Sequence, residues 1–301
     1  MIVAVSVATV WTSPASPKEQ DLPALQNPVE LRAWIDAMSI DDRLSLWKDN
    51  QVQTQILYGK KVIVVEEQGD WANVIIPDQS CKKDERGYPG WVPQRQLIVA
   101  PEFEQLWQSN GKRAIVSANT AHLYKSVEEP EIELSFLTAL PLLSTDPEWT
   151  QVATPHGTRF LKTEDVRVVE GSPVVAGNIG ESIVNTGNKF LDLHYLWGGM
   201  SGFGYDCSGF AHSMHLAHGI QIPRDAGDQA HSGRLVEKED LLPGDLLFFA
   251  HDEGKGRIHH VGIYAGNNQM IHSPESKSAI ELISLAGHKL EREHVVSRRY
   301  W

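Results

Sequence analysis

The 301-residue chain predicts an α+β protein, with two small β-barrels followed by a domain of helices plus antiparallel sheet. Three observations lead there. Short apolar runs separated by turn residues recur through residues 1–170, the pattern of small barrels. Two sets of these runs follow one order, so a single unit is used twice. Beyond residue 171 the pattern changes, and a helical stripe after Cys207 precedes three strand-like runs.

The first set comprises residues 5–11, 58–65, 70–74 and 90–93, and the second comprises 115–124, 140–143, 148–152 and 158–161. The expected bounds are 1–100 for the first barrel, 101–170 for the second and 171–301 for the last domain. The link is expected over 168–177, around Gly171, Ser172 and Pro173. The first barrel carries a helical insertion near 28–48. Asn27-Pro28 reads as a cap and first-turn proline, and Leu31, Trp34, Ile35 and Met38 form a helical stripe expected to be core. Ser39 with Asp42 reads as the cap of a second helix running through Trp47. Residues 85–91 read as a turn that exposes Tyr88.

In the last domain, Phe210, Met214 and Ala217 share one helical face and Gly219 is a left-handed stop. Cys207 then occupies the first turn. Helix N-termini carry unpaired N–H groups and about half a positive charge, which lowers a thiol pKa from about 8.5. The expectation is therefore an available thiolate; the plain alternative is a small buried cysteine. Downstream, residues 242–249, 258–264 and 270–272 read as strands carrying His259, His260 and His272. A nucleophilic thiol needs a histidine within reach and a third group to hold that ring. Alternation puts His260, Gly262 and Tyr264 on one face and His259 on the other, so only one of the two histidines can face the cysteine. If the turn at 266–268 has an odd loop or a bulge, His272 lies across from Gly262 and diagonal to His260. A tight two-residue turn would instead put it with His259.

Asp206-Cys207-Ser208-Gly209-Phe210, the Pro-Gly-Asp-Leu-Leu-Phe-Phe run at 243–249, His-Val-Gly-Ile-Tyr at 260–264 and Ile-His-Ser at 271–273 resemble, in order and spacing, the NlpC-type cysteine peptidases. The resemblance covers 171–301. It implies a papain-like fold that cuts bacterial cell-wall peptides, with Cys207 as nucleophile, His260 as base, His272 orienting it and His259 a bystander. His194-Tyr195-Leu196-Trp197-Gly198-Gly199 is similar to another family segment, in which Tyr195 helps bind the oxyanion and Trp197 lines the cleft. Asp206 and Ser208 are implied to meet the peptide's polar groups. Asp225 borders the cleft in the segment 223–226, where relatives often carry serine at the position of Ala226. The barrels resemble tandem bacterial Src-homology-3-like domains, and the whole resembles the YkfC-like branch, in which Tyr88 would touch substrate. That branch holds a free substrate amine with an acidic barrel residue. Gln53, Thr54 and Gln55 supply none.

The implied activity is hydrolysis of the γ-D-glutamyl-diamino acid bond of small muropeptides such as L-Ala-γ-D-Glu-diamino acid, in peptidoglycan recycling. Alternatives are an amidase or acyltransferase of the same fold, a non-catalytic wall-binding module, and a zinc site built from Cys207, His260 and His272. No cofactor or metal is expected. The net charge of −12 without a basic face makes nucleic acid and anionic membrane poor partners. Two cysteines make no disulfide framework. Residues 1–11 are apolar but alternate like a strand and lack a positive leader. A cytoplasmic protein is expected, or a secreted one if a signal peptide has been removed.

Overall fold

The computed structural model of the chain describes residues 1–109, 111–171 and 177–301. Two compact units share the chain in an interleaved way. One comprises Met1–Pro77, Pro89–Pro173 and Ser201–Phe203, and the other Asp78–Tyr88, Val174–Met200 and Gly204–Trp301. The expected link at 168–177 falls mostly on 172–176, outside the described residues.

The first unit contains a five-stranded sheet in the order Val52–Leu57, Val7–Trp11, Tyr88–Pro93, Trp71–Ile76, Ile63–Gln68. A seven-stranded sheet, built from strands between Lys112 and Glu170, is the second. Residues 1–11 are consumed as structure: Val7–Trp11 is buried throughout, and the amino terminus donates to Val62 O at 2.9 Å. Ile2, Tyr58, Phe103, Leu123, Leu140 and Leu161 belong to one buried cluster, so these residues of the apolar runs supply core, whereas Ile63 and Val65 of the run 58–65 are exposed.

The insertion forms two helices, Leu31–Ala37 and Ile40–Lys48. Ser39 and Asp42 make the expected reciprocal cap, with Ser39 Oγ accepting from Asp42 N and Asp42 Oδ2 accepting from Ser39 N. Asn27-Pro28 does not cap the first helix. The helix begins three residues after Pro28, and Asn27 Nδ2 donates to Arg95 O at 2.7 Å instead. The stripe is core, as expected: Trp34 packs 6.1 Å from Trp11 between ring centroids, and its Nε1 donates to Asp21 Oδ1. A buried indole N–H needs such a partner.

The second unit is built on a six-stranded antiparallel sheet in the order Arg234–Val236, His294–Arg299, Leu246–Ala250, Ile258–Gly266, Gln269–His272, Glu281–Ser284. The helices Ile179–Asn188 and Cys207–Leu216 pack on its central strands. Phe210, Met214, Phe248, Val261, Ile263 and Ile271 are fully buried there. Gly219, at φ 78°, stops the cysteine helix in the left-handed region as expected.

Candidate active site

Cys207 opens its helix because Asp206 caps it, Oδ1 accepting from Gly209 N at 2.7 Å. The approach is close. A Cβ on Gly209 would lie 2.1 Å from the Gly199 carbonyl oxygen, so the Trp-Gly-Gly segment can lie along the helix start only because position 209 is glycine. That contact also brings Gly198 N within 3.0 Å of Asp206 Oδ2.

The thiol is half-buried, and the amides of Ser208 and Val261 hydrogen-bond its sulfur. The surroundings of the sulfur oppose the expected thiolate. Burial, seconded by the Asp206 carboxylate, pushes the Cys207 thiol up to about 12, and the two amides only moderate this. A carboxylate that caps the helix cancels the positive helix end for the residue beside it.

Strand geometry settles which histidine meets which, with one correction. The strand pairs Phe249 with His260 and Ala250 with Ile258, so His259 is the extra residue of a bulge. Strict alternation therefore fails, and the His259 and His260 rings lie 6.3 Å apart at 27°. His259 also stacks on His251 at 4.2 Å, and its Nε2 lies 3.0 Å from Glu293 Oε2. At the other end, the turn is a two-residue Asn267-Asn268 turn, and a bulge precedes it between Tyr264 and Gly266. The bulge decides the register: Ile263 faces Ile271, which sets His272 opposite Gly262. His260 Nε2 and His272 Nδ1 are 2.7 Å apart.

The hydrogen-bond roles in this pair follow from its far end. Among the described residues His272 Nε2 has no hydrogen-bond partner, and Glu281 Oε1 lies 3.5 Å from it, across the strand pair His272–Glu281. A carboxylate only accepts, so His272 carries its hydrogen on Nε2, and Nδ1 accepts from His260 Nε2–H. The remaining nitrogen of His260, Nδ1, is then the basic one. Both rings are held neutral. Burial, with His272, His259, Lys289 and His288 adding positive potential, lowers His260 well below its ordinary value, and burial lowers His272 to about 4. His260 Nε2 and His272 Nδ1 are engaged with each other, so neither of these two nitrogens is open to a metal ion.

Tyr195 is buried, and burial followed by the Cys207 charge raises its phenol far above the ordinary value. It remains a proton donor close to the sulfur. Trp197 is half-exposed on the next turn of chain. Asp206 and Ser208 are both buried. The Asp206 carboxylate accepts from Gly198 N, Gly209 N, Ser208 Oγ and both terminal nitrogens of Arg224, which fills its acceptor sites. Arg224 is 1% exposed and also donates to Ser208 Oγ at 2.9 Å. Tyr88 is not the exposed aromatic expected from its turn. Its side chain is 2% exposed, its hydroxyl donates to Asp225 at 3.1 Å, and Lys83 Nζ donates to it at 2.5 Å while lying 4.1 Å over its ring. The ammonium and carboxylate together pull the ring inward. Gln55, where an acidic residue was sought, is buried and accepts from Ser201 Oγ at 3.0 Å.

Sequence reading missed Arg224, Lys83 and Glu281. Arg224 stood within a segment singled out as bordering the cleft, and an arginine between apolar Ile222 and a run of small residues was the available signal. Lys83 and Glu281 had none, since each is placed by long-range pairing.

Residues 192–299 match the model of the NlpC/P60 family, and 116–168 match the YKFC SH3b2 domain. Over 98% of its length the chain is 46% identical to the gamma-D-glutamyl-L-lysine dipeptidyl-peptidase of Bacillus subtilis (strain 168), covering 96% of that protein. It is 42% identical to the protein of the same name from Bacillus cereus (strain ATCC 10987 / NRS 248), over 98% of this chain and 89% of that one. The crystal structure of an NlpC/P60 family protein from Bacillus cereus ATCC 10987 superposes with a TM-score of 0.95 at 41% identity, covering 99% of this chain and 98% of that chain. With a thiol at a capped helix start, a hydrogen-bonded histidine pair beside it and relatives that match nearly end to end, the chain belongs to the NlpC/P60 family.

Proposed function

We infer that the protein is a cysteine peptidase that hydrolyses the γ-D-glutamyl-diamino acid bond of small muropeptides, a reading supported by Bacillus relatives named gamma-D-glutamyl-L-lysine dipeptidyl-peptidase. The observation that carries the reading is the 2.7 Å bond between His260 and His272, which leaves His260 Nδ1 as the site's base next to the Cys207 strand contact. Cys207 Sγ attacks the γ-amide carbon as His260 Nδ1 takes the thiol proton. The oxyanion is met by the Cys207 amide and the Tyr195 hydroxyl, each such donor being worth about 2.7–4 kcal/mol. His260 returns the proton to the departing amine, leaving a thioester. Water, deprotonated by the same nitrogen, then releases the glutamyl carboxylate and restores the thiol.

Trp197, Ser208, Asp225 and Tyr88 are assigned to the acyl half of the substrate, with Asp206 and Arg224 holding Ser208 in place. We take residues 1–100 and 101–170 as the two barrels and 171–301 as the catalytic domain; the family-model limits of 116–168 and 192–299 support the latter two. A cytoplasmic location is supported by two free cysteines. Among the described residues no helix is long and apolar enough to cross a membrane. The test is mass-spectrometric digestion of L-Ala-γ-D-Glu-L-Lys and its diaminopimelate counterpart. Wild-type protein is expected to release the diamino acid and Cys207→Ala to release none; release by Cys207→Ala would end the proposal.

A further inference from the structure

The reaction inferred above requires His260 to protonate the departing amine, so the residue carrying that amine must lie against the histidine pair. The second unit has a cleft of about 460 Å³, lined by Glu253, Gly287, His288, Lys289, Glu291, Arg292 and Glu293. One contact, through His259, and the charges of the lining connect it to the pair. Glu293 lies 3.0 Å from His259, which the bulge turns to the side of His260. Lys289 and His288 are near enough for their charge to be felt at both His260 and His272. Among the described residues neither Lys289 nor Arg292 has a carboxylate within ion-pair distance. Glu253, also in the lining, stands in a left-handed turn, with Asp252 at φ 55° and Glu253 at φ 53°. Non-glycine residues keep that conformation only where surrounding structure imposes it, and such positions gather at functional sites.

The cleft thus presents cations and carboxylates side by side, linked through Glu293 and His259 to the proton donor for the leaving group. A free diamino acid is the complementary ligand, having a carboxylate and a second ammonium on a flexible stem. We propose that this cleft is the leaving-group subsite, where Lys289 and Arg292 receive the carboxylate of the diamino acid and Glu253 and Glu293 its side-chain ammonium. The assignment rests on the peptidase reading, and deepens it by naming which end of the substrate is selected for and by what.

The test compares kcat/KM of the full-length enzyme on four substrates: L-Ala-γ-D-Glu-L-Lys, its C-terminal amide, the norleucine analogue lacking the side-chain amine, and L-Ala-γ-D-Glu-anilide. Wild-type enzyme is expected to prefer the lysine acid over both the amide and the norleucine peptide by about two- to fivefold, the scale of charge pairs between exposed side chains. The double variant Lys289→Gln/Arg292→Gln is expected to lose the acid-over-amide preference and keep the lysine-over-norleucine one. Glu253→Gln is expected to do the reverse. Because each readout is a ratio within one protein, partial unfolding does not imitate it. Equal kcat/KM on all three peptides by wild-type enzyme, or both preferences intact in both variants, would overturn the subsite while leaving the reaction standing. Failure of wild-type enzyme to cleave any of the four, the anilide included, would instead overturn the reaction beneath it.

Discussion

At the scale of single residues, the chemistry turns on two neutral groups. A raised thiol and a lowered imidazole both disfavour the separated charges of a thiolate-imidazolium pair. The sign for pH is direct. Thiolate is the reactive form, a free cysteine reaches half thiolate near pH 8.5, and a thiol pushed up to about 12 reaches it several units later. In the absence of substrate, carbamidomethylation of Cys207 by iodoacetamide, followed by peptide mass spectrometry, is therefore expected to climb steadily from pH 7 to beyond pH 9. A rate that levels off below pH 7 would mean a preformed ion pair. Proton transfer in catalysis then accompanies attack on the substrate, which explains why His272 must fix the tautomer of His260: an imidazole with its hydrogen on the wrong nitrogen has nothing with which to take the proton.

At the scale of elements, the cysteine helix is seated through glycine. A Cβ at Gly209 meets the Gly199 backbone oxygen at 2.1 Å, and backbone cannot swing aside as a flexible side chain does. Gly209→Ala is expected to cost about 1–3 kcal/mol of stability by overpacking and to lower kcat by roughly a hundredfold, because a helix shifted by an ångström misplaces the sulfur. Gly227→Ala, in the short helix Ala226–Gln229 with nothing within 4 Å of its Cβ, is the matched control and is expected to change neither. Denaturant titration and kcat on the tripeptide measure both variants, and an unaltered Gly209→Ala protein would show that the close approach is not what seats the helix. Much of this was legible beforehand. Period fixed the helix from Cys207 and the stop at Gly219, and runs of apolar residues fixed the three strands. What period cannot express is a residue that breaks it. The bulge at His259 is one extra residue in nine, and the strand Ile258–Gly266 looks regular in sequence. Tyr88 was misplaced for a related reason: its local turn looks exposed, and its burial depends on Asp225, 137 residues away. Glu281 and Lys289 reach the histidine pair only through strand pairing and a loop whose positions no local pattern encodes.

At the scale of the whole molecule, the chain does not deliver its catalytic unit in one piece. The segment Asp78–Tyr88 belongs to the same compact unit as residues 204–301, far from them in sequence. It is attached there by specific bonds: Arg224 N to Ser80 O at 2.9 Å, Gln221 Nε2 to Asp78 O at 2.9 Å, Lys82 N to Asp228 Oδ2 at 2.8 Å, and the Tyr88 hydroxyl to Asp225 at 3.1 Å. Each intramolecular hydrogen bond contributes about 1 kcal/mol, and Tyr88 adds the burial of a whole aromatic side chain. Together that is several kcal/mol, a large share of the roughly 5–15 kcal/mol that holds a domain folded. A fragment of residues 177–301, although it contains Cys207, His260 and His272, lacks all of these bonds. It is expected to melt roughly 10 °C or more below the same fragment with residues 78–88 appended through a flexible Gly/Ser linker. A synthetic peptide of residues 78–88 is expected to raise the melting temperature of the bare fragment in a concentration-dependent way, as any ligand of the folded state must. Circular dichroism during heating reads all three samples. Identical melting of the bare and appended fragments, with no response to the peptide, would show that the segment merely lies against the unit; a rise with the Tyr88→Phe peptide smaller than with the native one would assign part of the stabilisation to the hydroxyl on Asp225.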